Sequence, residues 1–162
     1  MKKALASLLL LFVLLTACSP SAVPAAKPDV ARSGIEIYQA RVPYLAGSAT
    51  DDNNMNMQMD MTLAAFMTIK NTTDTADRLL SVSVDFAQAS LHETKIEGDV
   101  AQMVEVSGID IPARQTVELK SGSYHIMLMN PMKQLKVGDT VNLTLEFEKA
   151  GTIIVPAKVV EQ

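Results

Sequence analysis

Leu63-Ala64-Ala65-Phe66-Met67-Thr68-Ile69-Lys70 places Leu63, Ala65, Met67 and Ile69 at every second position. A period of two marks a strand with one face turned to a core. The polar cluster Asn71–Asp77 follows, rich in the residues that make turns. Beyond it Leu79–Phe86 alternates again, through Leu80, Val82 and Val84. Working outward, β-forming runs occur at Ile35–Val42, Ala89–Ile96, Val100–Val106, Thr116–Leu119, Ser123–Met129, Thr140–Phe147 and Gly151–Val160. Turn signals separate them at Glu97-Gly98, Gly108, Ser121-Gly122, Asn130-Pro131 and Gly138-Asp139. No stretch after the N-terminus shows a helical period. Short strands at such spacing predict an all-β fold, an antiparallel β-sandwich or barrel of about eight to nine strands.

The N-terminus reads differently. Lys2 and Lys3 precede an apolar run from Ala4 to Leu15, which ends in Leu15-Thr16-Ala17-Cys18. A charged start and a short apolar stretch form a secretory signal rather than a spanning helix. The residues before Cys18 resemble a bacterial lipobox, so residues 1–17 are expected to be a lipoprotein signal peptide and Cys18 the lipidated residue. More than one acyl chain there gives stable anchoring to a membrane. Residues 18–34, rich in Pro, Ala and Ser, read as the lipidated cysteine and a flexible tether, and residues 35–162 as one domain. Ser19 does not resemble an inner-membrane retention signal. The expected location is therefore the cell envelope, on the periplasmic side, at the outer membrane if the host is Gram-negative.

Cleavage at that point leaves 12 basic against 18 acidic side chains, a net charge near −6. Such a balance argues against nucleic acid as a partner and against electrostatic docking to a membrane. Cys18 is the single cysteine. With its sulfur lipidated, the domain has no disulfide, no thiolate ligand and no blue-copper electron-transfer site.

The chain has two histidines, and both stand near methionines in the pattern His92-x10-Met103-x21-His125-x-Met127. Imidazole and thioether together favour Cu(I) over hard cations, and thioethers serve Zn(II) poorly. With Glu97 and Gly98 at the tip of a tight hairpin, His92 is predicted to face Met103 directly across the strands. His125 and Met127 are two apart, so an extended strand puts both on one face. Glu93 points to the opposite face from His92. Met129 has the parity of Met127, and Tyr124 and Phe147 read as core or edge aromatics. Singly, each of the four is ordinary: a strand histidine is commonly a surface residue and a methionine commonly core filler. Their joint spacing is what points to a metal site.

That spacing, with its flanks, resembles the PCu(A)C-type periplasmic copper chaperones. The flanks are Leu91-His92-Glu93, Gly108-Ile109-Asp110-Ile111-Pro112-Ala113, Val117-Glu118-Leu119, Tyr124-His125-Ile126-Met127-Leu128-Met129, Leu135-Lys136-Val137-Gly138-Asp139 and Phe147-Glu148-Lys149-Ala150-Gly151. The resemblance implies a cupredoxin-like β-sandwich that binds Cu(I) through His92, Met103, His125 and Met127. It further implies a metallochaperone, not an enzyme, that delivers copper to the CuA site of a cytochrome oxidase subunit.

One stretch departs from the family pattern. Asp51-Asp52-Asn53-Asn54-Met55-Asn56-Met57-Gln58-Met59-Asp60-Met61 alternates methionine with polar residues. Met55, Met57, Met59 and Met61 read either as an auxiliary Cu(I)-collecting stripe or as an extension of the core face that continues through Leu63. The stripe favours a second role, copper uptake, storage or detoxification. A third role, an adhesion or scaffold sandwich with incidental His and Met residues, needs no metal at all.

Overall fold

The computed structural model describes residues 26–44, 62–98 and 100–162. Eleven strands form: β1 (Val30–Arg32), β2 (Ile35–Tyr44), β3 (Thr62–Asn71), β4 (Asp77–Ser83), β5 (Gln88–Glu97), β6 (Val100–Glu105), β7 (Ile109–Ile111), β8 (Thr116–Leu119), β9 (Tyr124–Met129), β10 (Thr140–Phe147) and β11 (Gly151–Glu161). No helix occurs among the described residues. The all-β class is therefore as expected. Two strands exceed the expected number, β1 and β7, each three residues long and too short to show a period. β1 lies inside the stretch read as tether and pairs with β2, and the Asp29 carboxylate accepts a hydrogen bond from the Ala40 amide at 2.8 Å.

The strands run in the order β6-β5-β9-β3-β2-β11-β10-β4-β7, with β1 attached to β2 and β8 to β3. β3 turns this path into a sandwich. Its first half, Thr62–Ala65, pairs with β9, while Met67–Lys70 pairs with β8. All pairings are antiparallel except β11 with β2, where Lys158–Glu161 runs parallel to Arg41–Tyr44. β2 pairs with β3 through a register shift between Tyr38 and Arg41, where Gln39 takes a left-handed φ of 54°.

The core follows the alternation. Leu63, Ala65, Met67 and Ile69 are all buried, at 8%, 0%, 1% and 0% exposure. On β9 Ile126 and Leu128 are fully covered, as are Leu143 and Leu145 on β10. Each such side chain contributes roughly 1.5–3 kcal/mol by leaving water. β4 departs from its expected alternation. Leu79 and Val82 face the core, whereas Leu80 is exposed. The cause is an irregularity in the ladder: Leu79 pairs with Phe147 and Ser81 with Glu146, so Leu80 is the extra residue and the parity flips. Regular structure also stops at Ser83, short of the expected Phe86.

Candidate metal centre

β9 alternates between two environments. Ile126 and Leu128 enter the core, so His125 and Met127 turn to the other face of the same strand. β5 does likewise: Leu91 is buried in the core, and Ser90, His92 and Thr94 face away from it. The antiparallel pairing sets Ser90 beside Met127, Leu91 beside Ile126 and His92 beside His125. The two histidines are thus direct cross-strand neighbours. Their ring centroids are 5.9 Å apart and the planes are tilted by 33°.

The β5–β6 hairpin differs from expectation by two residues. Glu97 pairs with Val100, Thr94 with Met103 and His92 with Glu105, so Met103 does not face His92. The turn is centred one position later than expected, with Gly98 at a φ of 63° directly after the last paired residue of β5. That left-handed backbone is open to glycine without strain. A slip of two preserves parity, whereas a slip of one would have sent Met103 to the opposite face. Met103 therefore stays on the histidine face, diagonal to His92. Diagonal Cβ atoms lie about 7–8 Å apart, within reach of long side chains.

Four side chains from three adjacent strands share this face: Met103 on β6, His92 on β5, His125 and Met127 on β9. A cleft of about 460 Å³ opens beside them, lined by Met103, His125, Met127 and Thr94, by Thr62, Ala64 and Phe66 of β3, and by the Ser121-Gly122 turn. Met103 is 65% exposed and Met127 is half-buried, whereas His92 and His125 are only 9% and 4% exposed. The site thus has a covered nitrogen end and an open sulfur end.

Each imidazole is held by one nitrogen and unpartnered at the other. His125 Nδ1 lies 2.9 Å from the Ser123 carbonyl oxygen. A carbonyl can only accept, so Nδ1 carries a proton, and in the neutral tautomer this fixes, the lone pair is on Nε2. Ser90 Oγ lies 2.9 Å from His92 Nε2. His92 Nδ1 and His125 Nε2 are both buried without a hydrogen-bond partner among the described residues. Leaving a buried polar atom unsatisfied costs about 1–3 kcal/mol, and such atoms gather where a ligand or ion is to be received. Burial lowers the His92 pKa below its ordinary 6.5; the neighbouring His125 lowers it as well, and the Glu105 carboxylate raises it in part. His92 is therefore kept in the neutral form that can ligate a metal.

Ser90, Ser123 and Glu105 also bear on the two histidines, beyond the four residues that the His/Met spacing marks. The signal for the first two was present, since Ser90-Leu91-His92 and Ser123-Tyr124-His125 are the same Ser-x-His pattern on two strands. Glu105 becomes visible only once the hairpin turn is set at its true place. Glu93 pairs with Tyr124 and Val104, away from the histidines, and its carboxylate is 3.8 Å from Lys95 Nζ. Cys18, Met55, Met57, Met59 and Met61 lie outside the described residues.

The chain is thus a β-sandwich domain whose one sheet face carries two histidines and two methionines. The family model "Putative lipoprotein LpqE-like" matches residues 36–159, and the chain belongs to that LpqE-like family. "Putative lipoprotein Lxx21020" of Leifsonia xyli subsp. xyli is 37% identical over 99 residues, 59% of this chain and 60% of that protein. "Uncharacterized protein RP573" of Rickettsia prowazekii is 33% identical over 98 residues, 59% of this chain and 54% of its own. The matches thus span less than two thirds of those curated relatives. Among solved structures, the copper-bound PCuAC domain from PmoF2 superposes with a TM-score of 0.62 at 24% identity, over 82% of this chain and 97% of that domain, and so speaks for the fold. The Cu(I) form of DR1885 from Deinococcus radiodurans gives a TM-score of 0.58 at 29% identity, over 82% of this chain and 80% of that one. The resemblance to the PCu(A)C type drawn from the His/Met spacing is met by these neighbours.

Proposed function

We propose that this chain is an extracytoplasmic, lipid-anchored Cu(I) carrier that gives up its metal by ligand exchange. The observation that carries the reading is the pair of buried, unpartnered nitrogens, His92 Nδ1 and His125 Nε2, on rings 5.9 Å apart. Two neutral imidazoles at that separation can close on one ion, and Met103 and Met127 supply soft sulfur from the same face. This donor set suits Cu(I), because thioether has little affinity for hard cations. The Cu(I) form of DR1885 and the copper-bound PmoF2 domain support the choice of metal.

The geometry suggests the order of exchange. Met103, exposed on an edge strand, is the ligand a recipient protein reaches first. Replacing one thioether at a time keeps the ion coordinated while it moves, and the histidines beneath let go last. By resemblance, the recipient is the binuclear CuA site of a cytochrome oxidase subunit. The chain performs no turnover and needs no catalytic residue. Cys18 carries the lipid that holds the domain to the envelope, a reading supported by the lipoprotein names among its relatives.

Titration with Cu(I) against a competing chelator tests the site. One tight equivalent is expected, abolished in His92→Ala, His125→Ala; unchanged affinity in that double variant would refute the site and leave the adhesion or scaffold role. The Met55–Met61 stripe favours uptake or storage as a second reading. A second, weaker equivalent lost in Met57→Leu, Met59→Leu would support it, and a single unaffected equivalent would remove it. A deletion strain separates the roles: oxidase activity lost and rescued by added copper marks delivery, while copper sensitivity alone marks detoxification.

A further inference from the structure

We propose that Ser90 is a positioning residue: its hydroxyl accepts the Nε2 proton of His92, which leaves the lone pair on Nδ1, so the two rings offer unlike nitrogens to one ion. The copper half of this statement rests on the function proposed above; the proton half stands on geometry alone. Ser90 Oγ is 2.9 Å from Nε2, and Nδ1 is buried with no partner among the described residues. Two arrangements satisfy that contact. In one, the ring donates to the hydroxyl and Nδ1 is a bare acceptor. In the other, the hydroxyl donates and Nδ1 carries a stranded N–H. Buried donors without acceptors are the rarer fault in proteins, and an N–H cannot receive a cation. The first arrangement is the one that both fits the surroundings and can bind.

The two histidines reach the same end by different routes. At His125 the partner is the backbone oxygen of Ser123, which no side-chain substitution removes. At His92 the partner is a side chain two residues back on the same strand. Ser90 also stands opposite Met127 in the ladder, so it sits within the four-ligand face rather than behind it. The result is a crossed pair, Nδ1 from one ring and Nε2 from the other. Groups that hold a ligating histidine by its far nitrogen typically alter metal affinity by about 10–100-fold when removed.

The test is long-range proton–nitrogen NMR on the full chain, labelled with ¹⁵N-histidine, first metal-free and then with Cu(I), which is diamagnetic. Metal-free, His92 is expected to carry its proton on Nε2 and His125 on Nδ1. Cu(I) is expected to move the His92 Nδ1 and His125 Nε2 resonances. Ser90→Ala is expected to mix the His92 tautomers and weaken Cu(I) binding about 10–100-fold. Ser90→Thr, which keeps the hydroxyl, restores both, and Ser123→Ala changes neither. A proton on His92 Nδ1 in the metal-free chain, or an unaltered tautomer in Ser90→Ala, overturns the proposal. If Ser90→Ala does not fold, the tautomer in the unaltered chain and in Ser90→Thr still decides. Should the protons lie as stated while neither ring responds to Cu(I), the copper reading fails and the role of Ser90 in fixing the proton stands.

Discussion

His92 brings together the electrostatics of the site. Burial and the neighbouring His125 depress its pKa below 6.5, against a smaller opposing pull from Glu105. A histidine whose folded pKa is lowered binds fewer protons folded than unfolded. Its contribution to stability is therefore complete above 6.5 and is lost as the pH falls from there towards the folded value. An NMR titration of the metal-free chain should place the His92 midpoint below 6.5, and Glu105→Gln, by removing the one group that raises it, should push the midpoint lower still. A midpoint at or above 6.5 would contradict the assignment of the causes. Met103 offers the converse case. It is 65% exposed, so Met103→Leu should alter stability by no more than about 0.5 kcal/mol while weakening Cu(I) binding, as measured by urea unfolding and chelator competition. A large loss of stability with copper binding intact would make Met103 a packing residue.

Elements show how local chemistry places these residues, and where sequence runs short of structure. β3 was legible because four apolar residues alternate without interruption, and all four are buried. The alternation of β4 misleads because one extra residue, Leu80, exchanges its faces, and a bulge leaves no mark in composition. The register of the β5–β6 hairpin is ambiguous by two residues for a related reason. Glu97-Gly98 satisfies a turn rule as well as the true register does, and only the pairing of Glu97 with Val100 separates them. Amide NMR should show cross-strand contacts from Thr94 to Met103 and from His92 to Glu105; contacts from His92 to Met103 would restore the other register. The same-face relation of His92 and Met103 survived because both registers have one parity. β9 carries core residues and the proposed site residues on alternate positions, so packing of Ile126 and Leu128 orients His125 and Met127. Leu128→Ala, at a position with 0% exposure, should cost about 2–5 kcal/mol by thermal or urea unfolding.

At the scale of the whole molecule, the sandwich turns two distant sequence pairs into one patch. His92 and His125 are 33 positions apart in the chain and become nearest neighbours through a single antiparallel pairing. That pairing could not be read from periodicity, because alternation tells which face a residue takes and not which strand lies beside it. The spacing could be read, through its likeness to PCu(A)C-type sequences, and the solved PCuAC domains share the fold. The repeated Ser-x-His pattern of Ser90 and Ser123 is present in the sequence, but it gains meaning only once the strand is known to be extended and the ring to be buried. The proposed lipid anchor is tested at this scale: if Cys18 carries a lipid, Cys18→Ala should shift the protein from the membrane to the soluble fraction on cell fractionation without changing Cu(I) affinity, and an unchanged distribution would remove the anchor.

X-ray absorption on the Cu(I)-loaded chain counts the atoms around the metal by type and so decides whether His92, Met103, His125 and Met127 hold one ion together. Two nitrogen and two sulfur neighbours are expected, with one sulfur lost in Met103→Leu and one in Met127→Leu. A shell of oxygen and nitrogen alone, or a sulfur count unmoved by either substitution, would contradict that shared site.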